Sequence, residues 1–299
     1  MPRHDTGAHG ATRASIAVSS ILLVPICALA FFALRPHKAG HARFAWYLLA
    51  LATICLAGSH IAFIAMGAYF LKHDTVPDRT GRFDAYFALG VVLPSGFELS
   101  ILGACRAAFW EITAPRMFKR HDHGRWVTLA FDLLLLGAGV ATMISTAVGA
   151  TGPKVCWESP CDANNVDFVV ASLGNAMWSY GFQYMIILET ILVGIGAFFA
   201  RKWSRIYNLN VSLANAMFSA VVPVLAVQAV LLLVAIVFAQ YRVDEVAPSV
   251  PYYASIPYWV QQVVVAGFLL VTLRRHQVTR TGAGRNSYND FATFSNLPA

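Results

Sequence analysis

Seven apolar stretches, each long enough to cross a bilayer, leave this chain few folds to choose from. They run Ala14–Leu34, Phe44–Leu71, Asp84–Glu111, Trp126–Ala150, Asp167–Ala200, Val211–Tyr241 and Tyr252–Leu273. A transmembrane helix needs about 20 residues rising ~1.5 Å each. Backbone polar groups find no water in lipid, so only helices and closed barrels span it. Runs this long and this apolar predict an all-α integral membrane protein of seven transmembrane helices. Composition agrees: 58% of residues are hydrophobic and 12% charged, about half the charge of a soluble domain. The expected organisation is a polar leader at 1–13, a seven-helix domain at 14–273 and a disordered tail at 274–299, rich in Gly, Ser, Asn, Thr and Arg.

Charge predicts the orientation. Fourteen Lys and Arg fall in the loops 35–43, 112–125 and 201–209 and in the tail, and seven on the opposite side. The positive-inside rule then puts the N-terminus outside or in a lumen and the C-terminus in the cytoplasm. The net charge of +7 is accounted for by loops facing anionic lipid headgroups, without a nucleic-acid partner. Cys156 and Cys161 bracket Trp-Glu-Ser-Pro in a loop on the lumenal side, where a disulfide can form. Cys27, Cys55 and Cys105 lie within helices and read as small packing residues.

Three acids sit well inside spans: Glu98, Asp132 and Glu189. A charge at that depth costs about 2.5–3.5 kcal/mol on insertion scales, so each acid must be paired, neutral or functional. Glu98 follows Pro94-Ser95-Gly96-Phe97, a sequence expected to free backbone carbonyls at one depth. Arg106 and Asp132 each lie about one turn from the same membrane face on adjacent antiparallel spans, and are expected to form a buried structural ion pair. His60 is open to packing, proton-relay and ligand-binding roles.

The fifth span is the most polar. Asn175, Ser179, Phe182, Ile186 and Glu189 recur every three or four residues on one stripe, with Trp178 beside it. Hydrogen bonds between membrane helices average only about 0.6 kcal/mol, so a stripe this polar suggests a cavity wall. Tyr258, Gln261 and Gln262 share a face of the seventh span and are placed at the rim of the same cavity. That span contains no lysine, which excludes a retinal Schiff base. The sequence shows no Asp-rich diphosphate motif, no desaturase histidine boxes and no Walker A loop. His121-Asp122-His123 is a weak metal signal, and neither metal nor cofactor is expected.

Intramembrane carboxyls, aromatics and no cofactor motif suit acid-initiated chemistry on a lipophilic small molecule. A carboxyl kept from water favours its neutral, proton-donating form. It can protonate an epoxide or alkene of a prenyl chain, and aromatic faces can stabilise the resulting carbocation. Glu98 and Glu189 are the candidate acids, with His60 or a second carboxylate to take the final proton. Asn175, Trp178, Ser179, Phe182, Tyr258 and Gln262 are the candidate substrate contacts. In its small size, helical architecture, lack of a diphosphate motif and intramembrane acids, the chain resembles the membrane-bound terpene cyclases of fungal meroterpenoid pathways. That resemblance implies cyclisation of an epoxidised farnesyl-type aryl substrate at the endoplasmic reticulum. Two other readings stay open. One is a seven-helix receptor or sensor, although helix 3 ends in Cys-Arg-Ala-Ala-Phe-Trp-Glu and helix 7 has no Asn-Pro-x-x-Tyr. The other is a proton-coupled transporter, although no internal repeat is visible.

Overall fold

A computed structural model describes residues 6–35, 43–72, 81–117, 133–142, 144, 166–206, 211–241 and 256–275. These residues are helical apart from the bend at Arg35, and no strand occurs among them. The helices are α1 (Thr6–Leu34), α2 (Arg43–Lys72), α3 (Gly81–Met117), α4 (Leu133–Thr142), α5 (Val166–Ile206), α6 and α7 (Ile256–Arg275). Helix α6 runs from Val211–Ala216 through a π-helical turn at Met217–Val221 into Val222–Tyr241. Six of the seven are long and apolar enough to cross a membrane, and α4 is a shorter apolar helix. Helix α1 starts within the expected polar leader, and α3 and α5 also run beyond their apolar stretches. At ~1.5 Å per residue, the 41 residues of α5 reach about 60 Å, twice the hydrocarbon thickness.

The outer surface is what lipid as solvent requires. Ile21, Val24, Phe44 and Leu134 are between 65% and 72% exposed. The interior relies on small residues: Ala45, Ala52, Ala104, Ala108, Ala197, Ala214 and Ala266 are almost completely buried. Lipid tails are as apolar as leucine, so helices associate through close packing, which small side chains permit.

The most extensive packing is between α2 and α3. Leu93 lies against Gly58, Phe63 against Gly90 and Leu48 against Gly103, which fixes an antiparallel register. Trp46, expected with Tyr47 at the membrane interface, is instead buried, and Tyr47 alone faces outward.

Helix α3 continues unbroken through Pro94 and Gly96, so the expected irregular backbone is not found there. The irregular turn lies in α6, where the Val222 N–H bonds the Met217 carbonyl. Pro223 follows directly and has no N–H to return to the preceding turn. A widened turn beside such a gap is a common accommodation within a helix.

Candidate functional site

Glu98 is buried, and its neighbours Phe97, Ile101 and Leu102 are buried with it. Its carboxyl receives hydrogen bonds from α6 and α7 together. The Gln228 amide nitrogen donates to both oxygens, at 2.6 and 2.7 Å. The Tyr258 hydroxyl donates to Oε1 at 2.5 Å. The Gln262 amide donates to the same oxygen at 3.1 Å. Tyr258 and Gln262 stand four residues apart, so one face of α7 presents both. Gln261 turns to the α6 backbone instead, donating to the Val224 carbonyl at 2.7 Å.

All three partners of Glu98 are neutral. Four hydrogen bonds at about 0.6 kcal/mol total roughly 2.4 kcal/mol. That approaches the ~2.5–3.5 kcal/mol cost of an intramembrane charge. The partners also work in either direction. A tyrosine hydroxyl donates to a carboxylate or accepts from a carboxylic acid, and a turned glutamine amide offers its oxygen in place of its nitrogen. Gln228 Oε1 is buried and has no partner among the described residues. The cluster can therefore hold Glu98 with or without its proton, as a group that gives and regains a proton requires.

Glu189 has a different environment. It is 1% exposed, and Arg106 reaches it from α3. Arg106 Nε bonds Oε1, and a terminal guanidinium nitrogen bonds Oε2 at 2.8 Å. This two-pronged geometry is the strong form of the interaction. Arg106 was expected to meet Asp132, which lies outside the described residues; its described carboxylate partner is Glu189. Arg106 stands eight residues beyond Glu98 on α3, about 12 Å along the axis. The two glutamates thus belong to separate clusters.

His60 is 1% exposed, and its Nδ1 has no hydrogen-bond partner among the described residues. Trp259 meets it edge-on with ring centroids 5.8 Å apart, and Phe63 lies 5.4 Å from the same Trp259 ring. The adjacent residues Tyr258 and Trp259 therefore serve two places, one at Glu98 and one at His60.

The other expected contacts are more dispersed. Phe182 is buried, and its ring and Leu99 close over Gly139, filling the seam of α3, α4 and α5. Asn175, Trp178 and Ser179 lie on α5, but their side chains are outside the described residues, as are Cys156, Cys161 and His121–His123. Sequence reasoning missed Gln228, although a glutamine isolated in so apolar a helix is itself a signal. It also treated Ser19 as bonded to its own helix. Ser15 and Ser20 do bond back, to the Thr12 and Ile16 carbonyls. Ser19 is completely buried, and its hydroxyl has no such partner among the described residues.

Among the described residues no three His, Cys, Asp or Glu side chains gather as a metal set. No protein-family model matches the chain, and no curated protein matches it significantly.

Proposed function

We propose that this chain is a membrane-embedded terpene cyclase whose acid is Glu98. The observation that carries the reading is a buried carboxyl held by three neutral, two-way hydrogen-bonding groups from two other helices. In the proposed reaction, protonated Glu98 gives its proton to an epoxide oxygen or alkene of a prenylated substrate. The C–O or C=C bond opens to a carbocation, and neighbouring alkene electron pairs close the rings. The last cation loses a proton to the protein, so the product is an isomer of the substrate. Tyr258, Gln228 and Gln262 steady the carboxylate left behind. Trp259 and Phe63 offer aromatic faces on the His60 side for cation stabilisation. Glu189, held on both oxygens by Arg106, is assigned to joining α3 and α5. The fuller topology belongs to the same proposal: seven spans, N-terminus lumenal, C-terminus cytoplasmic, in the endoplasmic reticulum.

The test is product analysis by mass spectrometry. Microsomes carrying the protein receive epoxyfarnesyl-phenol substrates, with Glu98→Gln and Glu189→Gln variants of matched expression alongside. Cyclised isomers lost in Glu98→Gln and retained in Glu189→Gln support the assignment. Absence of turnover by well-folded wild type refutes it.

One observation favours a receptor or sensor as second reading. The Glu98 cluster ties α3 to α6 and α7, while Arg106–Glu189 ties α3 to α5. A helix cross-linked by two separate polar clusters can exchange partners between two packings. In that case a ligand, and not a product, changes the state of the protein.

A further inference from the structure

Two completely or almost completely buried polar side chains outside the Glu98 cluster lack hydrogen-bond partners among the described residues: Ser19 on α1 and His60 on α2. Buried polar groups are rarely left unsatisfied in folded proteins, so each calls for an explanation. Packing places the two at one depth. Ile16 and Thr12 of α1 lie against Gly67 of α2. Carrying that antiparallel register along sets Ser19 level with residues 60–64 of α2. Leu29 lies against Gly267 of α7, and Arg274 sits over the Phe32 ring. Carrying that parallel register back sets Ser19 level with residues 257–261 of α7. Both registers bring Ser19 to the level of His60, where Trp259 and Phe63 already meet.

We infer that α1, α2 and α7 form a second binding subsite, in which Ser19 and His60 hold a neutral oxygen group of the ligand. The chemistry of the pair fits a hydroxyl. The imidazole Nδ1 can accept the ligand's O–H, while the Ser19 hydroxyl donates to the ligand's oxygen. Trp259 and Phe63 supply the apolar wall for the adjoining carbon skeleton. The subsite is separate from Glu98. The α2–α3 register sets Glu98 level with residues 53–55, roughly 9 Å along α2 from His60 at 1.5 Å per residue. One elongated molecule with a polar group near one end spans that interval, which orients its reactive carbons toward Glu98. The inference deepens the cyclase reading and rests on it for the ligand's class.

The test measures binding and needs no turnover, so it fails separately from the cyclase reading. Purified full-length protein in nanodiscs is titrated with farnesol and with farnesene, which share a carbon skeleton and differ by the hydroxyl. Nanodiscs without protein correct for lipid partition. Wild type is expected to favour farnesol about tenfold. Ser19→Ala and His60→Leu should reduce the preference to within twofold, and His60→Gln, which keeps an accepting oxygen, should restore part of it. Glu98→Gln should leave it intact. Variants are compared after their thermal unfolding is shown to match wild type; Ser19→Ala, the mildest change, carries the test if His60→Leu fails to fold. An unchanged preference in Ser19→Ala overturns the inference and leaves the pair as holders of a structural water. So does a preference abolished only by Glu98→Gln, or none in wild type.

Discussion

The Arg106–Glu189 pair makes an asymmetric prediction. Glu189 is 1% exposed, whereas the Arg106 side chain is 26% exposed. Arg106→Leu leaves a carboxylate buried without its countercharge, at a cost of about 3–5 kcal/mol. Glu189→Gln leaves a cation whose long stem can carry its head toward the membrane surface, and Gln still accepts one hydrogen bond. Its cost should be about 1.5–3 kcal/mol, the range for a lost hydrogen bond to a charged group. The double variant Arg106→Leu/Glu189→Met should recover most of the larger loss, because an apolar pair of similar volume often replaces a buried ion pair without cost. Unfolding in mixed micelles, followed as folded fraction against SDS mole fraction, gives the three free energies and their coupling. Equal losses from the single variants, or a double variant that merely adds them, would show that Glu189 does not depend on Arg106.

The remaining predictions concern the Glu98 cluster and the seams around it. Tyr258→Phe removes one of four hydrogen bonds and should cost about 0.6–1.7 kcal/mol by the same unfolding assay; no change would mean that the hydroxyl does not engage Glu98. Glu98→Gln should abolish product formation while leaving expression and fold intact, as read by size-exclusion chromatography beside the mass-spectrometric assay. A side chain at Gly139 would meet Leu99 at 2.7 Å and Phe182 at 3.0 Å, so Gly139→Val should destabilise by roughly 1–3 kcal/mol through overpacking. Gly196 has open space around it, and Gly196→Ala should be neutral or gain up to about 1 kcal/mol in helix propensity.

Local pattern carried the helices and part of the site. Hydropathy alone located the long apolar segments, because lipid imposes length and composition on each helix independently of its neighbours. Glu98 stood out because acids are so rare at depth, and Tyr258 with Gln262 because a helical repeat places them on one face. Partner choice was not legible. Arg106 has acids at comparable depth on more than one helix, and only the rotation of α5 brings Glu189 to it. Asn215 and Gln228 were seen to face different sides of α6, and they do: Asn215 accepts from Arg201 at 3.0 Å, while Gln228 faces Glu98. What each side would meet depends on helix order around the bundle, which no local window contains. Ser19 was missed for a similar reason, since a serine in a helix ordinarily bonds its own preceding turn.

The widened turn at Met217–Val221 has a consequence for how this sequence can change. A π-helical turn accommodates one residue more than the α-helical turn it replaces, so α6 carries a one-residue insertion that its ends absorb. Deleting a single residue there would yield a more regular helix by every local measure. It would also rotate everything downstream by about 100°, turning Gln228 away from Glu98 and Val224 away from Gln261. Within these five positions chain length is under tighter constraint than side-chain identity, and homologous sequences should vary in residue there while conserving the spacing from Asn215 to Gln228.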